Sequence, residues 1–305
     1  MDYPDDETSS SESLEEDGSK NGPSKRDIFL STYHRYQNWS LPESIVYYMA
    51  MNPKNAEVYE KLIRSCKYFF VKNPILIAER FAYEYNDLEA TAFVYKDQER
   101  LKFPTVLSKF WITDDFENSV LESSPNMVSS LLPKFYRVDV KKLTIYRQDI
   151  SFDEFLCITS NVEEIHFRHT VVKNKNGTIV PFEKLLARLP KLDFVVFFNA
   201  DSSSITSKTA KEVSEILQFS KVEYFELHNL SEVFDIENFL TYMKKSKGIR
   251  FILHFCRPLS EAFKNRLEEM IDEIIDSETC GIYIRFDGLD EEKHSIIQIL
   301  YYRPR

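Results

Sequence analysis

Val140-Lys141-Lys142-Leu143-Thr144-Ile145 places apolar side chains at its first, fourth and sixth positions, and this spacing returns along the chain. It recurs as Val162, Ile165 and Phe167, as Leu192, Val195 and Phe197, and as Val222, Phe225 and Leu227. Leu107, Phe110 and Ile112 precede these copies, Ile249 and Ile252 follow with His254 in the third place, and Thr279, Ile282 and Ile284 close the series. Successive copies start 33, 22, 30, 30, 27 and 30 residues apart. The last two apolar places lie two residues apart, so on a strand they face one side.

The gaps between copies carry helical spacing. Phe152, Phe155 and Leu156 mark one stretch, and Phe182, Leu185, Leu186 and Leu189 follow Pro181 in a second. Ala210, Val213, Ile216 and Leu217 mark a third, and Ile236, Phe239, Leu240 and Met243 a fourth behind a cap at Asp235. Leu259, Phe263, Leu267, Met270, Ile271, Ile274 and Ile275 make the longest. Strand and helix alternating with a period of about 28 residues predict an α/β fold, an irregular leucine-rich-repeat-like solenoid over residues 86–286. An ordinary α/β sheet is the alternative. Residues 287–305, with Ile296, Ile297, Ile299, Leu300, Tyr301 and Tyr302, form a C-terminal capping segment.

Upstream, residues 1–27 hold nine acids against three bases and read as a disordered acidic tail. Ser9 and Ser13 each have Glu three residues on, the context that acidophilic kinases select. Residues 28–85 predict a helical head. A first helix begins at Ser40-Leu41-Pro42-Glu43, with Ser40 as its cap and Pro42 in its first turn, and Asn52-Pro53 ends it. A second runs from about Asn55 to Phe70 with Val58, Leu62, Cys66 and Phe69 on one face, and Ile75 to Tyr85 reads as a third. Such short amphipathic helices bury little alone, so the head should dock on something.

Composition excludes several functions. Six glycines in 305 residues leave little for a phosphate-cradling loop, and no nucleophile elbow is present. The net charge of −10 comes without a basic stripe, which argues against nucleic acid. Cys66, Cys157, Cys256 and Cys280 are scattered without a paired motif, so reduced thiols are expected and neither a zinc site nor any other cofactor. His166 and His169 would point to opposite faces of a strand, and His228 and His254 sit on different strands without paired carboxylates. Asp114-Asp115 and Glu163-Glu164 read as solvated charges. The chain is expected not to be an enzyme. With no apolar run long enough for a bilayer and no signal peptide, the expected place is cytoplasm or nucleus, with no membrane partner.

Leu41-Pro42 with Ile45, then Leu62, then Ser65-Cys66-Lys67 and Tyr68-Phe69-Phe70, resembles the F-box over about residues 40–80. The body, with Phe110-Trp111-Ile112-Thr113 and Ser151-Phe152-Asp153-Glu154-Phe155-Leu156, is similar to the F-box-like families expanded in nematodes. Here Glu43 stands one place before the usual acid, and Tyr47, Tyr48 and Met49 stand where Leu is commoner. The resemblance implies a non-enzymatic substrate receptor of a Skp1-cullin-type ubiquitin ligase. Leu41, Pro42, Ile45, Val46, Leu62 and Phe69 would then dock a Skp1-like adaptor, and the repeats would hold a target protein. The alternative is a stand-alone interaction protein whose head merely caps the solenoid. An enzyme of unknown class is the distant third.

The strand template also sorts the outward residues. Lys142, Thr144 and Tyr146, then Glu164, His166 and Arg168, then Tyr224, Glu226 and His228 are mixed and polar. Phe194, Val196 and Phe198, and Phe251, Leu253 and Phe255, are apolar and form the expected target-binding face, unless the C-terminal segment covers them.

Overall fold

The computed structural model describes residues 39–83, 108–119, 124–199, 204–256 and 258–304, the backbone of 90–94 and 100–102, and Ile28 and Ser31. The acidic tail 1–27 and Leu107 lie outside the described residues. The fold is mixed α/β, built on a sheet of eleven strands.

Three short helices lead: α1 (Glu43–Met51), α2 (Ala56–Ser65) and α3 (Lys67–Lys72). The sheet begins with β1 (Ile75–Tyr83), β2 (Ala90–Val94), β3 (Arg100–Lys102) and β4 (Lys109–Asn118). A short helix α4 (Met127–Leu131) leads to β5 (Phe135–Val138), β6 (Lys142–Tyr146) and β7 (Asp149–Ser151). Then come α5 (Phe152–Ile158), β8 (Glu164–Arg168), β9 (Val171–Lys173), α6 (Phe182–Leu186) and β10 (Phe194–Phe198). The rest is α7 (Thr209–Leu217), β11 (Tyr224–Leu230), α8 (Ile236–Lys245), β12 (Arg250–Phe255), α9 (Glu261–Asp276), β13 (Ile282–Phe286) and α10 (Glu291–Tyr302).

Strand order is β13-β12-β11-β10-β8-β6-β4-β1-β2-β3, with β5 beside β4. From β1 to β13 the pairings are parallel, and only β2 and β3 run antiparallel. Each strand from β4 onward therefore lies beside the next one along the chain, apart from β5 and the separate parallel pair β7–β9. The second and third template residues share rows on one face: Leu143, Ile165, Val195 and Phe225 in one, Ile145, Phe167, Phe197 and Leu227 in the next. All are buried with α5 to α9 in one continuous core. Local chemistry agrees at the helix starts. Ser151 and Glu154 form a reciprocal capping box on α5, and Asp235 caps α8 by accepting from the Asn238 amide.

Four expectations are corrected. Ile75–Tyr83 is strand β1, not helix, so the helical head ends at Lys72 and the boundary at residue 85 falls past the first strand. The strand follows Pro74 and pairs with β4 from Ile75 and with β2 from Ala78, so its second half has its backbone satisfied on both sides. The stretch 55–70 is two helices: Cys66 is extended at φ −152°, and its Sγ accepts from the Tyr68 amide at 3.4 Å. Pro42, rather than Ser40, takes the cap position of α1, without a side-chain cap bond.

The fourth correction moves three site residues. Phe251, Leu253 and Phe255 are fully buried in the core, not on the outward face. Phe251 pairs with Phe225 and Leu253 with Leu227, so the strand is one residue out of step with the template read from Ile249 and Ile252. Side chains alternate faces, and a slip of one exchanges inside and outside. Arg250, Ile252 and His254 take the outward places.

Candidate interaction surfaces

The head packs on the sheet face opposite the repeat helices. Val46, Ala50, Tyr59, Tyr68 and Phe69 bury with Ile75, Ile77 and Trp111, a cluster separate from the main core. Trp111 and Phe110 are neighbours on β4 and so point to opposite faces, one into each cluster. The Tyr59 hydroxyl ties the head to the chain entering the sheet, donating to the Phe69 carbonyl at 3.2 Å and to that of Asn73. Asn73 Nδ2 in turn donates to the Ala50 carbonyl at 3.0 Å.

This packing divides the six expected adaptor-docking residues. Val46 and Phe69 are 3% and 4% exposed and belong to the head's own core, and Leu62 is half-buried against it. Leu41, Pro42 and Ile45 remain at the surface. Four further apolar residues join them: Tyr47, Tyr48, Met51 and Val58, with Tyr48 at 59% exposure. Helix α1 thus turns Val46, Met49 and Ala50 inward and presents Ile45, Tyr47, Tyr48 and Met51 outward beside Glu43 and Ser44. The sequence signal was the density of apolar residues in a nine-residue helix, more than one face can bury.

At the far end, α10 lies against β13 and α9. Ile297, Leu300 and Tyr301 are buried, the Tyr301 ring meets Tyr283, and Arg250 sits over Tyr301 at 5.9 Å. The Tyr283 hydroxyl and His294 Nε2 are 2.5 Å apart. Tyr301 of α10 reaches Arg250 and Tyr224 at the N-terminal ends of β12 and β11, and the rest of the outward face from β6 to β12 carries no covering element among the described residues.

That open face is ordered by its own side chains. Phe194 stacks flat on Tyr224 at 4.2 Å, and Phe198 on His228 at 3.8 Å. Val196 is buried between them at 4% exposure, so the expected apolar patch is largely self-covered. Polar partners interleave. Lys142 pairs with Glu164 at 2.7 Å, and Glu164 with His166 at 2.5 Å. Glu226 accepts from the Tyr224 hydroxyl and pairs with His228, while His228 Nδ1 meets His254 Nδ1 at 3.2 Å. Burial would raise the Glu226 carboxyl, but the hydrogen bonds from His228 and Tyr224 outweigh it and hold the group below the ordinary range. Burial pushes His254 down, and His228 and Arg285 beside it act the same way.

Thus the fold brings together His228 and His254, which sequence spacing left apart. The strand-end residues Arg147, His169 and Arg285 also went unread as part of this face. A signal existed: Tyr146, Arg168, Phe198 and His228 each lie six places after a template start, and Arg147, His169 and Asn229 directly follow strand-face positions. Arg147, His169 and Asn229 adopt positive φ of 50°, 52° and 58°. The first two turn the chain off the main sheet into β7 and β9.

A cleft of about 690 Å³ separates α2 from the sheet and is lined by Glu57, Glu60, Lys61, Arg64, Trp111 and Asp139 among others. Trp111 Nε1 donates to Asp139 Oδ2 at 2.8 Å in its wall. Among the described residues no group of three or more His, Cys, Asp or Glu could hold a metal ion, and no helix is long and apolar enough to cross a membrane. Comparisons with protein-family models, curated proteins and solved structures find no match for this chain.

Proposed function

We propose that the chain is a non-enzymatic adaptor, in which α1 docks a Skp1-like partner of a cullin-type ubiquitin ligase and the open sheet face receives a target protein. One observation carries the reading. The head already has a buried attachment to the sheet through Val46, Tyr59, Phe69 and Trp111, yet α1 still presents Ile45, Tyr47 and Tyr48 outward, with Leu41 exposed just before it. Apolar side chains of that size clustered on one short element favour a protein interface. The side-by-side parallel strands in chain order support a leucine-rich-repeat-like solenoid as the finer description of the body. Such an adaptor would act in the cytoplasm or nucleus.

The second reading, a stand-alone interaction protein with a capping head, is favoured by the same burial of Ile77 and Trp111 under α1 to α3. Co-purification with a Skp1-like adaptor and cullin separates the two. Wild-type chain should retain the adaptor, and Ile45→Asp with Tyr48→Asp should abolish retention without lowering the thermal midpoint, because both side chains are exposed. Val46→Asp is the control that should unfold the head. Wild-type chain that retains no adaptor overturns the first reading in favour of the second.

A further inference from the structure

The outward face is not uniform along its strands. At the N-terminal ends of β8, β10 and β11 stand Glu163, Asp193 and Glu223, all exposed. These carboxylates sit close enough that burial, Glu163 and Glu223 together push Asp193 above its ordinary range. At the opposite, C-terminal ends the character reverses. Arg147, Arg168, His169 and Arg285 are exposed there, around the half-buried rings of Tyr146, Phe198, His228 and His254.

These side chains touch in sequence across the sheet. Arg147 lies over Tyr146 at 5.3 Å, and His169 meets Tyr146 at 5.9 Å and Phe198 at 6.0 Å. Arg168 lies over Phe198 at 5.2 Å, Phe198 stacks on His228, and His228 meets His254. Arg285 pairs across from His254 on β13. No carboxylate comes within ion-pairing distance of Arg168 or Arg285 among the described residues. Phe198 carries the Arg168 guanidinium, whose field reaches the Glu226 carboxylate from beyond ion-pairing distance, and Arg285 stands beside His254 with Asp287 at the rim of the stripe.

We propose that this cationic, aromatic-floored stripe binds a short acidic peptide segment of the target, laid across the strand ends and perpendicular to them. The inference rests on the reading of the open face as the target surface, and names the chemistry of what it takes. Six strands, β6 to β13, at about 4.8 Å spacing span roughly 24 Å, which an extended segment of about seven residues covers. Arginines fork onto carboxylates, and the Phe198–His228 platform accepts an apolar or aromatic side chain between them. The carboxylates at the other strand ends, about 17 Å away, repel any anion broader than one chain. That arrangement favours a peptide over nucleic acid, whose phosphate on every nucleotide would carry more negative charge against the acidic rim.

The test uses the full chain and an array of octapeptides, each with at least four Asp or Glu and one aromatic residue, beside a matched array with Lys and Arg. Wild-type protein should retain members of the acidic array only. Arg168→Gln combined with Arg285→Gln should weaken retention at least tenfold with an unchanged thermal midpoint, since both side chains are exposed. Raising salt from 50 to 300 mM should weaken it similarly. Equal retention of both arrays, no retention, or retention indifferent to the two substitutions overturns the inference. Tighter binding of a twelve-residue oligouridylate, lost in the same variant, overturns it in favour of single-stranded RNA. Adaptor capture by the head is read separately: a chain that captures the adaptor and ignores the peptides refutes this inference alone.

Discussion

Asp115 stands on the outward face of β4, paired across from Lys142, with one carboxylate oxygen 3.1 Å from Arg80 Nε. Its other oxygen is buried and accepts no hydrogen bond. Burial pushes this carboxyl up to about 6, and Glu117 adds to that rise while Arg80 and Lys142 oppose it. The folded state therefore holds the proton more tightly than the unfolded chain, whose Asp titrates near 3.9. Between those values folding takes up a proton, so stability falls as pH rises from about 4 through 6 and stays lower above that. Asp115→Asn removes the ionisable group and keeps an acceptor for Arg80. It should raise stability at pH 7 by about 1–2 kcal/mol. Denaturant titrations of both proteins should show the gain shrinking below pH 6 and vanishing near pH 4. A gain that persists at pH 4 would place its origin outside this titration.

At the scale of the element, β12 carries the clearest test of packing. In its sequence Arg250-Phe251-Ile252-Leu253-His254-Phe255, alternation points Phe251, Leu253 and Phe255 inward, whereas the spacing from Ile249 to Ile252 points to the opposite register. Neighbouring strands choose it: the Phe225 row accepts Phe251, which meets Phe225, Phe239 and Tyr242 edge-on at 5.7–6.1 Å. Phe251→Ala should cost about 3–5 kcal/mol by leaving a cavity among these rings, and Ile252→Ala about 1 kcal/mol from its half-covered site. Equal losses at the two positions would contradict the register. The other strands were legible because polar residues mark their outer faces, as Lys142 and Thr144 do on β6. Likewise α8 and α9 were legible from their apolar stripes and from Asp235. Strand β1 was not, because Ile75-Leu76-Ile77-Ala78 is apolar throughout and only its partners β2 and β4 decide its state. The stripe at the strand ends was illegible for a related reason: Arg147, His169 and His254 come together only once the strand order is known.

The whole molecule has two ends to close. A parallel sheet leaves its last strand with unpaired backbone donors and acceptors, an edge that invites pairing with another chain. The first end continues into the antiparallel strands β2 and β3, with the head laid over β1 and β4. The last strand, β13, has α10 beside it, buried through Ile297, Leu300 and Tyr301 and bound to α9 by Lys293 with Asp272 at 2.8 Å. The three buried side chains supply most of that attachment, on the order of 5 kcal/mol as an upper bound, and the exposed ion pair contributes little. Deleting residues 288–305 should therefore do two separable things. It should lower the thermal midpoint, because Tyr283 and the Arg250 stem lose their cover. It should also produce concentration-dependent association in light scattering, through the apolar flank of β13. Adding Ile282→Pro to the deletion would misfold the strand and settle nothing. Tyr283→Lys, on the outward face, charges the uncovered flank and should suppress association while the lowered midpoint remains. A truncated chain that stays monomeric with its original midpoint would mean that α10 neither stabilises nor shields the sheet.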